Sequence, residues 1–223
     1  MKPGLAARLV QVCKGAAAVC LYIGYSFLAH FAAASHTPGV FEAVVAIAPI
    51  LALAFFLAWR SPRRPLVLAL WLAGCMGLYG VSDWLVVHYS WVFLLQDAGM
   101  QVLLCLAFGR TLLLGQTPLV SQFAAVVHGT LSPGLARYTR KVTWAWTLYF
   151  AGMATLSLLL FWLAPIAVWS AFANLLGLPL AVLMFVGEYV VRRCVLPPAD
   201  LAGLWEAFQA YRHSSSGAAP RTH

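Results

Sequence analysis

Residues 109–141 read GRTLLLGQTPLVSQFAAVVHGTLSPGLARYTRK. They are the only long segment between two strongly apolar blocks, and they carry the cations Arg110, Arg137, Arg140 and Lys141. The blocks on either side are almost uncharged. A basic segment between hydrophobic runs is typical of a cytoplasmic loop in a polytopic membrane protein, because cytoplasmic loops are enriched in Lys and Arg. The sequence therefore predicts a membrane protein with this basic loop at its centre.

The composition excludes an ordinary soluble domain. Of 223 residues, 63% are hydrophobic and 9% are charged, and the mean hydropathy is +0.86, whereas soluble domains carry about 25% charged residues. In lipid every backbone polar group must be paired internally, so we expect an all-α, polytopic membrane helix bundle. The net charge of +8 does not indicate nucleic acid as a partner, because the charges lie at the ends of hydrophobic segments and form no continuous basic face.

Six transmembrane helices are predicted from the rule that about 20 apolar residues cross a bilayer. They lie at about residues 12–35, 41–59, 66–86, 90–108, 142–163 and 167–191, in one domain covering 1–196, with the cytoplasmic loop 109–141 and a short cytoplasmic tail 197–223. With both termini in the cytoplasm, all 14 Lys and Arg residues lie on that side. Residues 1–34 also resemble a cleaved signal peptide. Aromatic belts are predicted at Trp84, Tyr89, Trp91, Trp144, Trp146, Trp162 and Trp169.

A few polar residues fall inside the predicted spans. Asp97 lies about two turns into the fourth span, Gln101 follows one turn later, and Asn174 lies in the sixth span. A carboxylate inside a membrane is costly, which favours an ion, proton or substrate site formed by these three residues. The alternative is a helix-packing hydrogen bond from Asp97 to Asn174 or Tyr79.

The basic loop offers two kinds of site. Arg110, Arg137, Arg140 and Lys141 are predicted to bind an anionic partner or lipid headgroups, although the positive-inside rule alone also places cations there. The apolar stripe Leu119, Phe123, Val126, Val127 fits a helix that lies in the membrane interface. His128 is a candidate catalytic residue, since a histidine near several arginines can act on a phosphate or thioester substrate. On the last span, the four-residue spacing of Glu188 and Arg192 predicts an ion pair.

No cofactor or metal is predicted. The histidines and carboxylates near helix ends, His30, His36, Glu42, Asp83 and His88, lack a metal-ligand spacing. The chain contains no P-loop, no Gly-rich dinucleotide motif and no G-x-S-x-G nucleophile motif.

The second half of the chain carries motifs that resemble a known family. They are Phe108-Gly109-Arg110, Pro118-Leu119-Val120, the run 137–143 with Trp146, Trp169 with Asn174, and the run 187–193. Together they resemble an uncharacterised family of bacterial inner-membrane proteins. Its members are often encoded beside aryl-polyene or other type II fatty-acid-like synthesis enzymes, and some carry the label ketosynthase. The chain lacks a Cys/His/His arrangement on an α/β scaffold, so that label does not fit it.

The resemblance implies a place in the bacterial inner membrane and a pathway neighbourhood. The leading hypothesis is a non-catalytic accessory or anchoring component of a lipid or aryl-polyene-type biosynthetic system, in contact with membrane lipids and an acidic acyl carrier protein or pathway enzymes. The alternative is a carrier or flippase for a lipid-like product that uses Asp97, Gln101 and Asn174. A third hypothesis is a membrane acyl- or glycosyl-transfer enzyme that uses His128.

Overall fold

The computed structural model describes residues 5–35, 39–128 and 130–197, and every regular element within these ranges is a helix. The helices are α1 (Leu5–Ala33), α2 (Val40–Arg60), α3 (Arg64–Gly80), α4 (Ser82–Arg110), α5 (Leu119–His128), α6 (Pro133–Leu163), α7 (Ile166–Ala171), a π-helical turn (Phe172–Leu176) and α8 (Gly177–Val195). Within these ranges, five helical segments are long and apolar enough to cross a membrane: Val12–Ala33, Val40–Arg60, Ser82–Arg110, Pro133–Leu163 and Ile166–Val195. The all-α class is confirmed, and the helices indicate a multi-pass membrane protein.

The long helices present apolar side chains outward. Met76 is 77% exposed, Leu95 74% and Leu183 66%. A soluble protein rarely exposes contiguous apolar surface on this scale. Lipid is the solvent in which such a surface is stable, because the acyl chains are as apolar as the side chains.

The segment between the fourth and fifth predicted spans is more helical than expected. Helix α6 begins at Pro133, nine residues before the predicted fifth span, so residues 133–141 of the segment predicted as a cytoplasmic loop are helical. Proline suits this position because the first turn of a helix needs no N–H donor there. Arg137, Arg140 and Lys141 therefore lie on a helix. A helix is present in the part of this segment where an interfacial helix was predicted, and it is α5.

Helix α4 contains a kink near its start. His88 has φ −112° and ψ 18°, which is not helical, and its Nδ1 lies 2.9 Å from the carbonyl oxygen of Trp84. The predicted fourth span, residues 90–108, begins two residues after this kink. The helix beyond the kink, from Tyr89 to Arg110, is about 33 Å long at 1.5 Å per residue, which matches the thickness of a bilayer core.

The chain divides into two compact units. The first unit comprises the described residues up to Ala98 together with Leu156–Leu178. Its core includes Trp169 from α7 and a group of alanines from α1 and α2, which are Ala29, Ala32, Ala33, Ala43 and Ala46. Small residues allow membrane helices to approach closely and gain van der Waals contact.

The second unit comprises Gly99–Thr155 and the described residues from Pro179 onward. Its core contains Leu135, Tyr138, Val142, Trp146, Phe150 and Leu196. Trp146 lies 4.5 Å from Phe185 and 5.6 Å from Tyr149, centroid to centroid. These rings contact one another where α6 packs against α8, and they contribute large apolar area to this unit.

Three of the predicted belt residues are core residues. Tyr89, Trp146 and Trp169 are only 6%, 7% and 0% exposed, so they pack inside the protein, and their place at a membrane boundary stays a prediction. Tyr89 Oη donates to the carbonyl oxygen of Ser35 at 2.7 Å, and the Trp169 indole donates to Ser157. Buried Tyr and Trp side chains need such partners. The other four belt residues are exposed.

Candidate functional sites

Asp97 forms part of a buried hydrogen-bonded chain in the first unit. Ser157 Oγ on α6 donates to Asp97 Oδ2 on α4 at 2.5 Å, and Trp169 Nε1 on α7 donates to Ser157 Oγ at 3.0 Å. Ser157 and Trp169 are fully buried. The serine hydroxyl thus acts as donor and acceptor at once, and it ties three helices together.

The predicted partners of Asp97 are wrong, because the side chain bonds neither Asn174 nor Tyr79. Tyr79 is 83% exposed. Asn174 lies in the π-helical turn, and its Nδ2 donates to the carbonyl oxygen of Ser170 at 3.1 Å. Ser170 Oγ in turn donates to the carbonyl oxygen of His30 on α1 and lies 3.0 Å from His30 Nδ1. Asn174 therefore serves a second network beside that of Asp97.

Gln101 belongs to the second unit, although it follows Asp97 by one helical turn. Its Oε1 is buried and has no hydrogen-bond partner in the described part of the chain. Asp97, Gln101 and Asn174, predicted as one intramembrane polar site, thus lie in three different surroundings. Their predicted part in transport remains a prediction.

A proline in α2 explains another polar contact in the first unit. Pro49 lies inside the helix and has no N–H, so the carbonyl oxygen of Val45, four residues earlier, loses its normal helical donor. Tyr25 Oη on α1 donates to this oxygen at 3.2 Å. Gln96 Nε2 on α4 donates to the neighbouring carbonyl oxygen of Ala46 at 2.6 Å. Side chains from two other helices thus bond the backbone of α2 beside its proline.

Contacts in the second unit bring three helix ends together. Arg140 Nη2 donates to the carbonyl oxygen of Leu112, just after α4, at 3.2 Å. Tyr138 Oη, on the first turns of α6, donates to the backbone oxygen of Glu188 on α8 at 3.2 Å. The end of α4, the start of α6 and the end of α8 are therefore adjacent. We call this region the basic end, and its cations are Arg110, Arg137, Arg140, Lys141, Arg192 and Arg193.

The one carboxylate among the described residues of the basic end is already engaged. Glu188 Oε1 lies 3.3 Å from Arg192 Nε, which confirms the predicted ion pair, and accepts a hydrogen bond from Tyr138 Oη at 3.1 Å. Glu188 therefore offers little charge compensation to the cations of α4 and α6.

The four cations predicted as a binding site are exposed. The Arg137 side chain donates to the carbonyl oxygen of Pro133 at 3.2 Å, and the Arg140 side chain donates to that of Leu112. Within the described ranges, none of the four makes an ion pair with a carboxylate. The basic end thus carries positive charge that is available to an anionic ligand.

Two threonine side chains, one just after α4 and one on α6, bond the first turn of α5. Leu119 N–H donates to Thr111 Oγ1 at 3.0 Å, and Val120 N–H donates to Thr143 Oγ1 at 3.3 Å. These bonds satisfy donors that the first turn of a helix leaves unpaired. Phe123 and Val126 are 63% and 86% exposed, as expected for an interfacial helix. The side chains of Val127 and His128 lie outside the described part of the structure.

Two cavities border the basic end. A groove of about 630 Å³ lies between α6 and α8 and is lined by Tyr138, Lys141, Val142, Ala145, Tyr149, Leu180, Leu183, Met184, Gly187, Glu188, Val191 and Val195. A second cavity of about 530 Å³ is lined by Gly134, Arg137, Tyr138, Arg140, Lys141, Trp144, Val195, Leu196 and Pro197. The two share Tyr138, Lys141 and Val195. An apolar groove thus borders a basic cavity.

The helices indicate that the chain is a multi-pass helical membrane protein. It has packed polar networks in the first unit and the basic end in the second. Across the described residues, no group of three or more His, Cys, Asp or Glu side chains is placed to hold a metal ion. No protein-family model matches the chain, and neither a curated protein nor a solved structure is significantly similar to it.

Proposed function

We propose that this chain is a non-catalytic accessory component of a lipid or aryl-polyene-type biosynthetic system in the bacterial inner membrane. It holds an acidic pathway protein, such as an acyl carrier protein, at the cytoplasmic face. One observation carries the proposal: Arg110, Arg137, Arg140 and Lys141 are exposed in one unit and pair with no carboxylate within the described ranges. Such a patch attracts an acidic partner and fixes its orientation.

The proposal includes six membrane crossings, with α3 as the third. α3 has 17 residues and a length of about 26 Å, which is at the lower limit for a crossing. A crossing by α3 puts Arg60, Arg63 and Arg64 on the same side of the membrane as the basic end. Without it, the two basic groups lie on opposite sides, against the positive-inside rule.

The basic side is the cytoplasmic side in this proposal, and both termini lie there. The distribution of Lys and Arg along the chain supports this orientation. No Lys or Arg occurs between Lys14 and Arg60 or between Arg64 and Arg110.

The test replaces the four cations with Gln and isolates the protein in mild detergent, followed by mass spectrometry of the co-purified proteins. The unmodified protein is expected to retain a carrier protein or synthesis enzymes. The fourfold Gln variant is expected to lose them while its membrane level stays normal.

The matched control replaces Arg60, Arg63 and Arg64 with Gln. It removes exposed cations of the first unit, which lie on the same side of the membrane in this topology but are not part of the basic end, and it should keep the partner. Retention of the partner by the fourfold variant would contradict the proposal.

A further inference from the structure

The groove between α6 and α8 joins apolar walls to a cationic rim. Its lining residues on α6 include Tyr138, Val142, Ala145 and Tyr149, which recur every three or four residues and so share one helix face. The lining residues of α8 recur in the same way: Leu180, Leu183, Met184, Gly187, Glu188, Val191 and Val195. The lined part of α8 is about 22 Å long at 1.5 Å per residue. These walls fit an extended hydrocarbon chain.

The groove is accessible from the side of the helices. Leu183, Val191 and Val195 line it and are 66%, 52% and 61% exposed. Since α6 and α8 are apolar over lengths that cross a bilayer, a lipid can enter the groove laterally.

The charges at one end of the groove determine which lipid headgroup is favoured there. Lys141 lines both the groove and the neighbouring basic cavity, which also contains Arg137 and Arg140. The single carboxylate of the groove lining, Glu188, is paired with Arg192. A headgroup with a net negative charge is therefore favoured at this end over a zwitterionic headgroup.

We infer that this groove is a binding site for an anionic phospholipid. One acyl chain lies between α6 and α8, and the headgroup phosphate lies at Lys141 with Arg137 and Arg140. The inference deepens the proposed function and rests on its basic end. A lipid held there links the cytoplasmic leaflet to the surface that receives the partner.

A glycine provides a way to block the groove without removing a charge. A Cβ added to Gly187 would meet no atom within 4 Å, and the same holds for Gly152, which is outside the groove lining. Gly187→Leu therefore places a large side chain at the groove, and its Cβ lies in open space. Gly152→Leu is the matched control, since both changes raise helix propensity equally.

The experiment reconstitutes each variant in nanodiscs of equal amounts of phosphatidylglycerol and phosphatidylcholine, and then measures retained lipid by native mass spectrometry. The unmodified protein and Gly152→Leu are expected to retain phosphatidylglycerol in preference to phosphatidylcholine. Gly187→Leu is expected to lose that retention. Lys141→Gln is expected to keep a lipid but to lower the preference about fivefold, which corresponds to one cation near an anionic membrane surface.

Three results would overturn the inference: equal retention of the two lipids by the unmodified protein, normal retention by Gly187→Leu, or a groove filled only by an acyl chain tethered to a carrier protein. Gly187→Ala, with a smaller side chain, serves if the leucine variant does not fold. Because Gly187→Leu keeps every cation, it should still co-purify with the acidic partner. Loss of lipid and loss of partner are thus measured separately.

Discussion

The two units use their polar residues differently. In the first unit, hydroxyl, indole and amide groups bond across helices, and Ser157 and Ser170 have almost no exposure. In the second unit, buried threonines also bond between helices, but exposed cations surround the helix ends in addition, and a groove lies open beside them. Interhelical hydrogen bonds in membranes stabilise packing modestly, whereas unpaired surface charge mainly serves recognition. We infer that the buried bonds of the first unit support the fold, and we propose that the second unit carries the binding surface.

The largest loss of stability is expected from Trp169→Ala. Trp169 is fully buried, packs against Phe161 at 5.1 Å between centroids and donates to Ser157. Its removal leaves a cavity and should lower the free energy of unfolding by about 3–5 kcal/mol, measured by SDS titration in mixed micelles. Trp162→Ala, at a side chain 66% exposed, is the control and should cost far less. Equal losses would show that α7 does not hold the core.

A smaller effect is expected at Asp97. Asp97→Ala leaves the Ser157 donor without its acceptor and should cost about 1–2 kcal/mol. Asp97→Asn keeps a carbonyl acceptor and should recover most of that loss in the same unfolding assay. It should also leave product export unchanged, because the observed bond is one of helix packing. Export lost at normal protein level in Asp97→Asn would instead favour the carrier hypothesis.

The smallest stability change is expected at the basic end. The fourfold Gln variant used for partner capture alters exposed side chains only, so its free energy of unfolding should stay within about 0.5 kcal/mol of the unmodified value. A loss comparable to that of Trp169→Ala would mean that the second unit also depends on these cations for its fold. That result would contradict the assignment of fold stability to the first unit and of binding to the second.

Hydropathy was sufficient to predict the helical class and most membrane segments, because long apolar runs are read directly from the sequence. It did not predict that α6 begins at Pro133, ahead of the apolar run, although proline is favoured in a first helical turn. The burial of Tyr89, Trp146 and Trp169 was not predicted, because burial depends on which helix faces them. The partner of Asp97 also depends on which helix faces it. Ser157 lies in a leucine-rich run, and nothing in that run indicates a polar contact.

The central claim is that the basic segments share one membrane face, which requires α3 to cross. The direct measurement is labelling of spheroplasts with a membrane-impermeant maleimide, after replacement of the five native cysteines. Single cysteines are introduced by Ser61→Cys, Val81→Cys, Thr117→Cys and Pro165→Cys. Six crossings with a cytoplasmic amino terminus predict labelling at positions 81 and 165 and protection at 61 and 117. Protection at 81 with labelling at 117 would show that α3 does not cross, and would contradict the account.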